Sequence, residues 1–243
     1  MKGKFLKRKL NKFRKQTKEK IEKFFYETRR FFVKKSIKNK DFSIISNNCW
    51  AGRAYQYLDM PYLSPTAGLY FFAPDYIKFV SDLRRYLDTP LRFISPEESK
   101  YYEEIKKRNQ IDKPIGILDD VEIVFLHYKT KEEAEEKWNR RKERVNFDNI
   151  IIKFSRMDLC SDKEIDDFCN LEFENKFVFN TRKQPLYSSE IYWKGQIINN
   201  QILNDTVPFP QNINLTSHLN KPPLKHSQKL NTIFINDGDD ANV

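Results

Sequence analysis

The sequence predicts an α/β domain of three layers, with a mainly parallel or mixed sheet, an N-terminal amphipathic helix and a polar C-terminal tail. Three observations carry this. Short apolar runs alternate with capped amphipathic segments from residue 42 to about 180. Positive charge is concentrated in the first 40 residues, and after Asn204 the apolar clusters give way to Asn, Pro and Lys. The expected division is therefore a basic helical arm over 1–40, an α/β domain over 41–204 and a polar tail over 205–243.

Residues 1–40 hold 17 Lys and Arg against 3 Asp and Glu, and the other 203 residues hold 27 against 31. The net charge of +10 thus belongs to the arm, and the body is mildly acidic. Leu6, Leu10, Phe13, Thr17, Ile21, Phe24 and Phe31 recur at helical spacing, with Lys and Arg on the other faces. Such a helix suits an anionic membrane surface, where aromatics enter the headgroup boundary and cations meet acidic lipid. The plain alternative is a helix docked on the protein's own body. A nucleic-acid arm is not expected, because the body carries no basic face of its own.

In the body, Phe42–Ser46 reads as a buried strand, Asn47-Asn48 as a turn and Cys49–Leu58 as a short helix. Pro74 opens a helix through Leu87, with Ile77, Val80, Leu83 and Leu87 on one stripe. Leu91–Ile94 is a strand, and a helix follows Ser95-Pro96 to about Arg108. Asp119-Asp120 is a turn, Val121–His127 a strand, and Thr130 with Glu133 a capping box that opens a helix to about Val145. Asn149–Phe154 is a buried strand, Ser161 and Glu164 cap a helix to about Asn170, and Lys176–Phe179 is a last strand.

Composition excludes several classes. Three Cys are too few for a disulfide scaffold and fit a reducing compartment. Only 6 Gly occur, and neither dinucleotide nor P-loop glycine patterns appear. No Cys/His spacing matches a zinc site, and no cofactor is specified. Asp237-Gly238-Asp239 has DxD spacing but sits in the polar tail.

Ligands of open parallel sheets bind beyond the carboxyl ends of the strands. If the strands at 42–46, 121–127 and 149–154 are parallel neighbours, one rim carries Asn47, Asn48 and Cys49, then His127, Tyr128 and Lys129, then Ser155, Arg156 and Asp158. Cys49, at a helix N-terminus, is a candidate nucleophile with His127 as base. The plain alternative is packing, because Cys is often buried. Asp119 and Asp120 are candidates for a base or for metal-assisted diphosphate binding, or else form a polar turn. At about 100° per residue, Arg141 falls on the apolar stripe with Ala134, Trp138 and Val145. A guanidinium there needs either an ion pair with Asp119, Asp120 or Glu122, or a bound anion.

Five blocks carry a resemblance: SIISNNCWAG (43–52), YLSPTAGLYF (62–71), DYIKF (75–79), PIGILDDVEIVFLHYKTKEEAEEKWNRRKERVN (114–146) and NKFVF (175–179). They resemble an uncharacterised bacterial family, a domain of unknown function described as exopolysaccharide biosynthesis proteins. The likeness covers about residues 41–180. It implies an α/β protein of the cytoplasm, working in capsule and exopolysaccharide production, with no established reaction and no catalytic residues to carry over. Asn47, Asn48, Trp50, Ser64, Thr66, Arg140, Arg141 and Arg144 lie in these blocks and are the expected substrate-binding positions beside Cys49, His127, Asp119 and Asp120. Ala51 departs from the family's pattern, where a second small glycine is frequent.

Arm and resemblance together lead to the expectation of a transferase held peripherally at the inner membrane face. It would act on a carbohydrate or lipid-linked sugar acceptor, with glycosyl transfer favoured slightly over acyl transfer. Two alternatives stand beside it. One is a cysteine-dependent hydrolase or acyltransferase using Cys49 and His127. The other is a non-catalytic carbohydrate-binding assembly factor, marked by an aromatic rim of Trp50, Tyr55, Tyr62 and Tyr70.

Overall fold

The structure is a computed structural model that describes residues 2–207, 209–210 and 213–221, with side chains from residue 13 onward. The Asp237-Gly238-Asp239 spacing and the rest of 222–243 lie outside the described residues. A long helix α1 (Lys2–Ser36) leads into β1 (Ser43–Ser46), α2 (Trp50–Leu58), α3 (Ala73–Ser81) and α4 (Leu83–Asp88). Then come β2 (Arg92–Ile94), α5 (Tyr102–Lys107), β3 (Ile115–Leu118), β4 (Val121–Val124), α6 (Lys131–Lys142) and β5 (Ile150–Ser155). The chain continues through α7 (Asp162–Asn170), β6 (Lys176–Asn180), β7 (Glu190–Tyr192), a small hairpin of β8 (Ile197–Ile198) and β9 (Gln201–Ile202), and α8 (Leu215–Leu219).

The main sheet is parallel throughout, in the order β1-β5-β6-β7. β1, β5 and β6 are buried on both faces, as a covered parallel sheet requires, and the edge strand β7 is partly exposed. Ile45, Ile152, Phe154 and Val178 face one core with α3, α4, α6 and α7. Ile44, Ile151, Phe177 and Phe179 face the other, with the end of α1, α2 and α8. That alternation gives the three layers expected from the sequence.

The strand at 121 is not a member of this sheet. Asp119, at φ 58°, closes a tight turn that folds β4 back on β3, and β2-β3-β4 form a separate antiparallel sheet. β1 pairs directly with β5 instead. β4 also ends at Val124, so His127 lies beyond the strand. The helix expected over 74–87 is broken at Asp82 (φ −138°, ψ 56°) into α3 and α4. Ser95–Arg108 begins as one 3-10 turn, Pro96–Glu98, before α5.

The segment after Asn204 is folded onto the body as far as it is described. Asp205, Phe209, Ile213, Leu215 and Leu219 are all buried. Ile213, Leu215 and Leu219 each stand between polar neighbours, and Phe209 between two prolines, and each fills its own place in the second core, so no long apolar run marks the segment. Just ahead of it the Trp193 amide donates to the Asn180 carbonyl and the Ile202 amide to the Arg156 carbonyl, and Asp205 then accepts from Ser155 Oγ and Asn48 Nδ2, so the chain crosses the carboxyl ends of the main sheet here.

Candidate functional site

Residues 67–71 link the two sheets. The Phe71 amide donates to the Asn47 carbonyl on the side of β1, at 2.9 Å. On the other side Tyr70 bridges Val124, and the His127 amide donates to the Gly68 carbonyl, also at 2.9 Å. This linker brings Cys49 and His127 to one hollow, although their strands are not neighbours. Thr66 holds it to β1 by accepting from the Ser46 amide at 3.1 Å, and Ser64 contacts Thr66 hydroxyl to hydroxyl at 3.0 Å.

The hollow measures about 360 Å³, and its lining includes Cys49, Arg53, Tyr62, His127, Lys137 and Arg141. Among the described residues no Asp or Glu lines it. Arg141 is buried on the stripe of α6, as its spacing predicts. One guanidinium nitrogen, Nη1, donates to the Ala67 carbonyl (3.1 Å) and the Tyr128 hydroxyl (2.6 Å), and the Tyr62 ring lies 4.6 Å from the guanidinium carbon. Among the described residues Arg141 has no carboxylate partner, and its Nε and Nη2 make no hydrogen bond. The acids expected to pair with it are engaged elsewhere. Asp119 pairs with Arg85, Asp120 with Lys78 and the Tyr86 hydroxyl, and Glu122 accepts from Ser99 and the Lys100 amide. A buried guanidinium with free donors, beside a cavity with no acid among the described residues, has the chemistry to hold an anion.

Two more cations stand on the wall. Arg53, exposed on α2, donates to the Gln56 side chain at 3.3 Å, and Lys137 pairs with Glu133 one turn back on α6. The Gln56 amide also donates to the Tyr62 hydroxyl, 2.8 Å away.

Cys49 lines the hollow with its thiol donating to the Leu69 carbonyl, 3.7 Å away. The helix N-terminus does not activate it. The amides of Trp50 and Ala51 are already taken by Asn48 Oδ1 and Ser46 Oγ, both at 3.1 Å. Burial, and then the Asp205 carboxylate, push the thiol up to about 11. It is protonated at neutral pH, contrary to the expected lowering.

Asn47 and Asn48 are buried and serve the interior. Asn48 Nδ2 donates to both Asp205 carboxylate oxygens at 3.0 Å, and Asn48 Oδ1 accepts from Lys153 Nζ at 3.1 Å. Asn47 Nδ2 donates to the Ser155 carbonyl. Trp50 is buried against Phe177, Phe179 and Phe209, away from any rim. Tyr55 and Tyr70 are buried as well, so of the four expected rim aromatics only Tyr62 reaches the hollow. Asp120 lines a different cleft, between α3, α4 and α7. Arg140 pairs with Glu136 on the surface, and Arg144 donates to the Tyr62 carbonyl at 3.2 Å, so it positions that ring.

The expected residues that converge are therefore Cys49, His127 and Arg141. Arg53, Gln56 and Lys137 were not foreseen. Arg53 is one turn beyond Cys49 on α2, a placement its i+4 spacing offered. Nothing in the sequence marked Lys153 and Asp205, which form a wholly buried ion pair behind the hollow.

A family model described as a domain of unknown function, DUF1919, matches residues 20–219. The chain belongs to the DUF1919 family. An uncharacterised protein of Haemophilus influenzae is 31% identical over 188 residues, which is 76% of this chain and 85% of that relative. The DUF1919 match is wider than the likeness read over 41–180. It takes in the second half of α1 and runs through α8, so the docked helix end and the segment carrying Asp205 are parts of the DUF1919 unit. Among the described residues no helix is long and apolar enough to cross a membrane.

Proposed function

We propose that this DUF1919 protein is a transferase of exopolysaccharide or capsule biosynthesis that takes a phosphorylated donor in the Arg141 hollow. The observation that carries the reading is the buried guanidinium, free of any carboxylate among the described residues, at a cavity ringed by Arg53, Lys137 and His127. The biosynthetic setting rests on the family likeness. A lining with no acid among the described residues lacks the paired carboxylates used for glycoside hydrolysis. It suits a diphosphate, whose negative charge grows as the bond to the transferred group breaks.

In glycosyl transfer, an acceptor hydroxyl attacks the donor's anomeric carbon and the bond from that carbon to the phosphate oxygen breaks. Arg141, Arg53 and Lys137 neutralise the departing diphosphate, and His127, exposed at the mouth, accepts the hydroxyl proton. Cysteine-dependent chemistry is disfavoured by the protonated Cys49 thiol. A purely aromatic carbohydrate platform is disfavoured by the burial of Trp50, Tyr55 and Tyr70.

Calorimetry with pyrophosphate, uridine-diphosphate sugars and coenzyme A thioesters tests the reading. A sugar nucleotide should bind, and Arg53→Gln, an exposed change, should weaken it by about tenfold. Arg141→Gln should weaken it further. Absence of binding by every phosphorylated ligand, or binding indifferent to both substitutions, overturns the proposal. Tight binding of the thioester alone redirects it to acyl transfer.

A further inference from the structure

The long helix α1 has two faces with different fates. Its last turns dock on the body. Arg30 Nε donates to the Tyr57 carbonyl at 2.7 Å, Arg30 and Lys34 both pair with Asp59, and Tyr26 meets the Tyr57 ring edge-on at 5.5 Å. Val33 packs into the second core and Ile37, just past the helix, is buried in it. At about 100° per residue, Tyr26, Arg30 and Val33 share one side of the helix. Phe13, Phe24 and Phe31 share another, roughly opposite, with Ile21, Phe25 and Phe32 beside them.

That second side has no partner within the described chain. Phe13 is 66% exposed, Phe24 67%, Phe25 65% and Phe32 63%. Burial against the protein therefore does not account for these aromatics, and an apolar stripe of this size in water marks an interaction surface. Its borders are basic. Lys20 and Lys23 flank it on one side, with Glu27 between them, Lys18 and Arg29 flank it on the other, and Arg14 and Lys35 lie on the stripe itself, Lys35 Nζ 5.5 Å from the centre of the Phe31 ring. Residues 1–40 hold 17 Lys and Arg against 3 Asp and Glu.

We infer that the free face of α1 lies on an anionic lipid bilayer, with the phenylalanines among the acyl chains and the flanking Lys and Arg at acidic headgroups. Charge complementarity selects this occupant. A second copy of the same face would bring two strongly basic surfaces together, and a nucleic acid would not call for a phenylalanine stripe. The docked face fixes the consequence. Arg30 Nη2 donates to the Gln56 carbonyl at 3.3 Å, while the Gln56 side chain lines the Arg141 hollow. The body that carries the hollow is therefore tied to α1 on the side away from the bilayer. The lipid surface is inferred from α1 alone and does not depend on the proposed donor site.

The test is co-sedimentation of the full chain with vesicles of phosphatidylcholine alone and of phosphatidylcholine mixed with phosphatidylglycerol. Binding should require phosphatidylglycerol and fall with salt. The variant Phe24→Ser/Phe25→Ser/Phe31→Ser/Phe32→Ser should lose more than about tenfold of it. All four side chains are exposed, so far-UV circular dichroism and thermal unfolding of the body should be unchanged. The inference is overturned by no binding to acidic vesicles, by binding that survives the fourfold variant, or by a dimer in solution that the same variant dissociates. Binding to duplex DNA at least as tight as to acidic vesicles, and equal in the variant, overturns it too.

Discussion

Lys153 and Asp205 form an ion pair from which solvent is excluded, the side chains being 0% and 1% exposed. Ser155 also donates to Asp205, and both Asn48 donors and acceptors are used in the same cluster. The pair joins the centre of the parallel sheet to the segment that crosses its carboxyl ends. It therefore locks that segment in place by electrostatics as well as by packing.

Removing one partner leaves a charge in the interior with nothing to balance it. Asp205→Ala should destabilise the fold by about 3–5 kcal/mol, seen as a lower urea midpoint. Lys153→Met combined with Asp205→Leu should recover much of that loss, because it removes both buried charges together. A loss no greater in the single variant than in the double one would show that the pair is not insulated from water.

The thiol of Cys49 should behave as a buried, neutral group. With its titration pushed up to about 11 from an ordinary 9.0, iodoacetamide should label it far more slowly at pH 8 than it labels a free thiol. Because the folded group holds its proton longer than the unfolded one, its contribution to stability is full below pH 9 and is lost as pH rises towards 11. Cys49→Ala should leave sugar-nucleotide binding within about twofold, since the thiol donates only to a carbonyl.

His218 gives an acid-side signature for the last helix. Its ring packs on Phe177 at 4.6 Å, and burial pushes it down to about 4 from 6.5. A depressed histidine stabilises the fold above pH 6.5, and that contribution is lost as pH falls through 6.5 to about 4. Amide exchange in α8 should rise over this window, and an NMR titration should place His218 near 4. A midpoint at the ordinary histidine value would mean that α8 is not docked.

The fold was legible where local patterns and the tertiary structure agree. The capping box at Ser161 and the Arg141 stripe appear as read, and the strands read at 42–46 and 149–154 form over 43–46 and 150–155; at Thr130 only half of the capping box forms, because the Glu133 carboxylate accepts from the Lys129 amide instead of the Thr130 amide. Sheet membership was not legible. An apolar run such as VEIVFLH fits either a parallel or an antiparallel partner, and a two-residue turn at Asp119-Asp120 decided it. In the site, the same ambiguity put His127 on the right hollow by the wrong route. The buried network of Asn47, Asn48 and Asp205 stayed hidden because polar residues in loops read as exposed. For α1 the docked reading holds for the last turns, and the lipid-facing reading is a proposal for the other side, since a helix has more than one side.

Asp119 and Asp120 supply a contrast to the hollow. Asp120 is held down to about 2 by Lys78 and then by Tyr86, yet the ion pair is half exposed. Its contribution is present above the ordinary carboxylate range and lost as pH falls towards 2. Asp120→Asn should cost less than about 1 kcal/mol, because solvent screens such pairs. Donor binding should be untouched, because Asp120 lines the other cleft.

Gly68 is the position where backbone conformation and the Arg141 hollow meet. Its φ of 85° is one that side chains disfavour, and a Cβ there would come within 3.1 Å of Tyr128 Cε2 and 3.5 Å of His127 Cβ. Tyr128 in turn holds Arg141 through its hydroxyl. Gly68→Ala should therefore cost about 1–3 kcal/mol of stability and also displace the ring that positions the guanidinium. Tyr128→Phe separates the two effects, since it removes the hydroxyl without touching the backbone. If the hydroxyl positions Arg141, Tyr128→Phe should weaken sugar-nucleotide binding while adding little backbone strain. Gly68→Ala should show the same binding defect together with a lower unfolding midpoint. Unaltered binding in both variants would separate Arg141 from the linker and leave the hollow without its positioning element.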